Sequence, residues 1–137
     1  MLGRNNITTK RSTIWLSITV AITIGTFGLS SLSSVPVSAT HWWKHSDWVF
    51  HALEYGILAW CLLMYFYEKK FTLKQTLLAY LSALLFVGIV GGLNEWWQGH
   101  VPHRSPSWSD EAANLLGALL FIGLFHLLKM RNAHHHQ

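Results

Sequence analysis

Gln75-Thr76-Leu77-Leu78-Ala79-Tyr80-Leu81-Ser82-Ala83-Leu84-Leu85-Phe86-Val87-Gly88-Ile89-Val90-Gly91-Gly92-Leu93-Asn94-Glu95-Trp96 decides the fold class of this chain. A helix needs about 20 mostly apolar residues to cross a bilayer. This run has that length, and its only formal charge, Glu95, stands at the far end. Apolar and polar residues do not alternate along it, which argues against a strand. Three other stretches read the same way: residues 13–32, 48–67 and 112–128, the last at the short end of the range. The expectation is an all-α integral membrane bundle of four transmembrane helices. It comprises an N-terminal arm over residues 1–12, a membrane domain over 13–128 and a tail over 129–137.

Composition agrees. Of 137 residues, 51% are hydrophobic and 12% are charged, with a mean hydropathy of +0.28. Soluble domains carry roughly 25% charged residues, so half the usual charge would have to cover a soluble surface. A soluble enzyme, a disordered chain and a coiled coil are disfavoured on that ground. The net charge of +4 would suggest nucleic acid in a soluble protein. Here the Lys and Arg flank the apolar runs, so the charge reads as membrane orientation and no nucleic-acid partner is expected. The single cysteine, Cys61, lies in an apolar run, which leaves no intramolecular disulfide and no Cys-based metal site.

Arg4, Lys10, Arg11, Lys69, Lys70, Lys74, Lys129 and Arg131 fall on one side of this topology, and only Lys44 and Arg104 on the other. The positive-inside rule then places both termini and the short middle loop in the cytoplasm of a multi-pass plasma-membrane protein. The loops over residues 33–47 and 97–111 face outward. A second reading of the N-terminus stays open: Lys10 and Arg11, an apolar run, Pro36 and Val37-Ser38-Ala39 also resemble a cleaved secretory signal.

Polar residues inside these segments are the candidate site. His51, Glu54 and Tyr55 stand at i, i+3 and i+4 on one helix face. An ionisable group at membrane depth costs roughly 2.5–3.5 kcal/mol on insertion scales and turns inward, so Glu54 needs a partner. Gly88 and Gly92 form a small-xxx-small pair that lets helices approach and orients Glu95 toward the interior, with Gln98 one turn on. Ser107 and Asp110 read as a capping box opening the fourth segment. Asp110, Asn114 and Gly117 share a face there. Arg104, held between Pro102 and Pro106, is expected to pair with Glu95 or Asp110 or to hold an anionic ligand. All eight residues, His51, Glu54, Tyr55, Glu95, Gln98, Arg104, Asp110 and Asn114, are expected to line one outward-opening pocket. Trp42, Trp43, Trp96, Trp97 and Trp108 suit the membrane interface.

Other chemistry is not signalled. There is no His-Glu-x-x-His and no phosphate-binding glycine loop. His51-x-x-Glu54 offers two ligands where a metal needs three or four, so no metal and no cofactor are expected. His134, His135 and His136 form a tail tract with weak metal affinity at most.

The ordered pieces Ser46-Asp47-Trp48-Val49-Phe50-His51-Ala52-Leu53-Glu54-Tyr55-Gly56, Glu95-Trp96-Trp97-Gln98, Val101-Pro102-His103-Arg104 and Asp110 through Asn114 to Gly117 resemble the VanZ-like membrane proteins. The resemblance extends over residues 30–123. That family carries Asp-Lys-x-x-His-x-x-x-Tyr, then Glu-x-x-Gln, Pro-Gly-Arg and Asp-x-x-x-Asn-x-x-Gly. Trp48 replaces its Lys and His103 its Gly, so the role of that Lys does not transfer and the loop turn differs. The resemblance implies a four-helix membrane bundle and, by analogy, a link to the cell envelope and antibiotic tolerance. A likeness of that family to membrane acid phosphatases is not supported here, because no Pro-Ser-Gly-His stretch is present. Two functions follow as expectations. One is a protein that binds membrane lipids and a lipid-linked or glycopeptide-type envelope ligand at its outer face. The alternative is a membrane enzyme on a lipid-linked phosphate or sugar, with Glu95 or His51 as acid or base and Arg104 as anion clamp. No nucleophile beside a base is legible, which favours binding.

Overall fold

A computed structural model describes residues 2–32, 46–69, 72–102 and 104–134. The cleavage-like stretch at Pro36 to Ala39, the interfacial Trp42 and Trp43, and Lys44, Lys70, His103, His135 and His136 lie outside the described residues. So do the side chains of Arg4, Ser46, Asp47 and His134.

Four helices make up the fold: α1 (Leu2–Ser30), α2 (Ser46–Glu68), α3 (Leu73–Gln98) and α4 (Trp108–His134). All four are long and apolar enough to cross a membrane, and no strand occurs among the described residues. The chain is therefore an all-α, multi-pass membrane bundle, as its apolar runs predict. Two ends differ from the sequence expectation. α1 runs back through the basic arm to Leu2, and α4 runs on through the tail to His134. No proline precedes Pro36 or follows Pro106, so nothing in the chain forces either helix to stop.

Each helix explains its own polar residues locally. In α1, Thr13, Thr19 and Thr23 donate their hydroxyls to the carbonyls four residues back, which satisfies them inside an apolar segment. α3 opens at Thr72, whose Oγ1 accepts from the Gln75 N–H while Gln75 Oε1 accepts from the Thr72 N–H at 2.8 Å. The outward faces are apolar, with Ile24, Phe50, Leu85 and Leu120 each about two-thirds exposed. This inverts the pattern of a soluble bundle and suits lipid.

α2 is the hub. It packs most extensively, against α4 above all and then α1 and α3; α3 also meets the other three helices, and α1 and α4 do not touch among the described residues. Its closest partner is α4, where Gly117 lies directly on the Ala52 backbone and Gly56 lies under the Phe121 ring. A Cβ at Gly117 would overlap the Ala52 carbonyl, so only glycine permits this approach. Tyr55, Leu58, Ala59, Val87, Val90 and Ala118 fill one core, and Leu62, Leu63, Ala79, Ala83 and Phe125 fill the next.

The two ends of the bundle differ. At one end Lys129 Nζ donates to Thr76 Oγ1 at 3.2 Å and lies over the Tyr67 ring, and Lys69 lies over Tyr65. At the other end the starts of α2 and α4 meet the ends of α1 and α3. That end carries the candidate site.

Candidate functional site

His51, one turn into α2, faces α4 with both ring nitrogens. Nδ1 lies 3.0 Å from Asn114 Oδ1, and Nε2 lies 3.8 Å from Asp110 Oδ2 one turn earlier. The shared face of Asp110 and Asn114 is as their spacing predicts. Asn114 is fully buried, and its Nδ2 donates to Glu111 Oε2 at 3.1 Å. With the amide nitrogen committed to a carboxylate, the amide oxygen faces the imidazole, so His51 Nδ1 is the donor. Tyr55 stacks against His51 with centroids 6.4 Å apart, and its buried hydroxyl has no hydrogen-bond partner among the described residues.

α3 brings Glu95 and Gln98, both buried as expected. Glu95 is 6% exposed; its Oε2 accepts from the Ser107 backbone N–H at 2.8 Å, and its Oε1 is buried without a partner. Ser107 Oγ accepts from the Asp110 N–H at 3.4 Å, which is half of the expected capping box. The other half comes from α3: Glu95, not Asp110, receives the Ser107 N–H, which ties the loop to the third helix.

Three sequence expectations change. Glu54 turns away from the cluster toward α1, where Thr26 Oγ1 donates to Glu54 Oε1 at 2.6 Å. It has the partner it needs, but that partner lies outside the site. Arg104 pairs with neither Glu95 nor Asp110; its Nη1 reaches Gln98 Oε1 at 3.5 Å, and it makes no ion pair among the described residues. Gly88 packs against Leu115, but its fellow is Gly91 rather than Gly92. A Cβ at Gly91 would meet the Glu111 and Asn114 side chains, whereas nothing lies near one at Gly92.

Two residues were not singled out from sequence. Glu111 sits in the α3–α4 interface over Gly91, and its i, i+3 spacing from Asn114 is the signal that marks it. Asn94 is buried with both amide atoms unpartnered among the described residues; a polar residue one position before Glu95 in an apolar run is its signal.

A cavity of about 430 Å³ opens between α3 and α4, lined by Gly92, Glu95, Trp96, His100, Ser107, Trp108 and Glu111. Of the eight expected pocket residues only Glu95 lines it. His51 and Asp110 lie close to Glu95, Asn114 is bonded to His51, and Arg104 reaches Gln98, but none of these five lines the cavity. Trp96 packs on His100 with centroids 4.6 Å apart, and Trp108 is 91% exposed. No hydroxyl or thiol bonds to His51 among the described residues. Ser107 Oγ is engaged with Ser109 Oγ at 2.6 Å, and Cys61 is buried in the other half of the bundle. His51, Glu95 and Asp110 also bring potential ligand atoms within 4.8 Å of one another, a set drawn from three helices that helical spacing within α2 does not reveal. No family model, curated protein or solved structure matches this chain.

Proposed function

We propose that this chain is a VanZ-like protein of the plasma membrane that binds a lipid-linked or glycopeptide-type envelope ligand at the polar end of its bundle, that end facing outward. The observation that carries the reading is the cavity between α3 and α4, where Glu95 and Glu111 stand beside Trp96, His100 and Trp108. Sugars and peptides offer the hydroxyl and amide donors that carboxylates accept, and apolar sugar or peptide faces stack on indole rings. The cavity lies at the bundle end, where a lipid-anchored head group is within reach. Arg104 is spared from any described ion pair and can meet a ligand phosphate or carboxylate with its planar fork. By this reading the role in envelope or antibiotic tolerance is binding rather than turnover.

The test uses the full chain in lipid nanodiscs and a lipid-linked disaccharide-peptide as probe, read by tryptophan fluorescence. Binding is expected and is weakened about tenfold or more by Arg104→Lys, because an ammonium cannot reproduce the bidentate geometry. Trp108→Ala weakens it similarly, by about 1 kcal/mol or more of lost aromatic contact. Both variants should insert at normal abundance. A probe that does not bind, or binds both variants as well as the parent, defeats the proposal.

A further inference from the structure

We infer that His51, Glu95 and Asp110 form a binding site for a divalent first-row metal ion of the zinc or manganese kind. Their potential ligand atoms lie within 4.8 Å of one another. In a tetrahedral zinc site with bonds of about 2.0–2.2 Å, donors stand roughly 3.4 Å apart, so side-chain movements of about an ångström close the set.

Each donor is held by one outer bond and keeps one atom free. His51 donates Nδ1–H to Asn114 Oδ1, which leaves Nε2 facing Asp110. A metal-ligating histidine nearly always donates its second nitrogen in this way, which sets the tautomer and the ring plane. Glu95 gives Oε2 to the Ser107 N–H and keeps Oε1. Asp110 Oδ1 accepts from Ser109 Oγ at 3.4 Å, and Oδ2 faces His51. Asn114 is itself fixed by Glu111, so the support reaches a third layer.

A second observation points to a cation ligand. Glu95 is only 6% exposed, yet its Oε1 has no hydrogen-bond partner among the described residues. Glu95, Asp110 and Glu111 converge at this end, and among the described residues no Lys or Arg forms an ion pair with any of them. A buried carboxylate without an ion-pair partner is costly, and a divalent ion shared by Glu95 and Asp110 would offset that cost. One imidazole with two carboxylates is a borderline-to-hard donor set, which suits zinc or manganese above copper(I) and favours zinc over manganese in affinity. Three protein ligands leave an open coordination position. Glu95 belongs to both the triad and the cavity wall, so the ion would sit at the cavity's edge. This site does not depend on the envelope-ligand reading.

The experiment uses the full-length chain in nanodiscs, purified without a metal column. His134→Ala, His135→Ala and His136→Ala are introduced together to remove tail binding. After dialysis against Zn²⁺, elemental analysis should find about one equivalent, with Mn²⁺ bound more weakly and Mg²⁺ not retained. Glu95→Gln and Asp110→Asn should each weaken zinc binding at least tenfold, and Asn114→Ala by about 10–100-fold as an outer-layer change. His126→Ala, at the opposite end, should leave it unchanged. X-ray absorption of the zinc-loaded chain, which needs no site variant, should find one imidazole among oxygen donors. Absence of retained zinc, equal retention by a folded Glu95→Gln or Asp110→Asn chain, or a zinc ion surrounded by several imidazoles each overturns the site.

Discussion

Asn114 is the residue on which the polar end turns. It is fully buried, takes the His51 N–H on its oxygen and donates its amide to Glu111. Asn114→Ala removes a partner from each of these half-buried groups. Hydrogen bonds inside membrane proteins average well under 1 kcal/mol, but two lost together with half-buried remnants should cost about 1–2 kcal/mol. Reversible unfolding in mixed micelles should register that loss, with the exposed Ser109→Ala within about 0.5 kcal/mol of the parent. Equal stability of the two variants would mean that Asn114 contributes no net bonding. The sequence marks Asn114 readily, because a polar amide deep in an apolar run calls for a partner. It does not mark which partner, since His51 lies on a helix that is not its neighbour in the chain.

At the scale of elements, the contact between α2 and α4 sets the geometry of the site. Both helices begin at the polar end and run the same way, so their first turns lie side by side. Gly117 brings α4 onto the Ala52 backbone, and that closeness carries Asp110 and Asn114 to His51. Gly117→Ala must push the helices apart, at an expected cost of about 1–3 kcal/mol. Gly123→Ala, two turns further on with open space around it, should be neutral or gain a few tenths of a kcal/mol from helix propensity. A thermal melt of the two variants separates these outcomes; equal melting temperatures would contradict the close approach. The glycine run of α3 teaches a related lesson. Gly88, Gly91 and Gly92 all read as small residues, and only the rotation of α3 about its axis makes Gly91 the one that shelters Glu111 and Asn114.

For the whole molecule, the asymmetry of charge predicts orientation. Lys69, Lys74, Lys129 and Arg131 belong to the end opposite the site, and the start of α1 and the end of α4 lie there too. With that end cytoplasmic, as the positive-inside rule proposes, cysteines at Thr40 and Ser105 should react with an impermeant thiol reagent on intact cells. One at Thr72 should react only after lysis. The buried Cys61, replaced by Ala, gives a silent background. Labelling at Thr72 alone on intact cells would reverse the molecule and turn the site toward the cytoplasm.

Four helices long and apolar enough to cross a membrane, and the gathering of His51, Glu95, Asp110 and Arg104 at one end, were legible from the chain alone, whereas the start of α1 and the end of α4 were not. Each follows from local quantities: the length of an apolar run against bilayer thickness, the period of a helix, the distribution of Lys and Arg. Which residues meet was not legible. Glu54 goes to Thr26 of α1, Arg104 to Gln98, Glu95 to the Ser107 backbone, and His51 joins Glu95 and Asp110 across three helices. Helical periodicity assigns residues to faces but leaves each helix free to rotate about its axis and to choose its neighbours. Packing removes that freedom, here through the fit of Gly117 on Ala52 and of Glu111 over Gly91, and so the chemistry of the site is a property of the packed bundle.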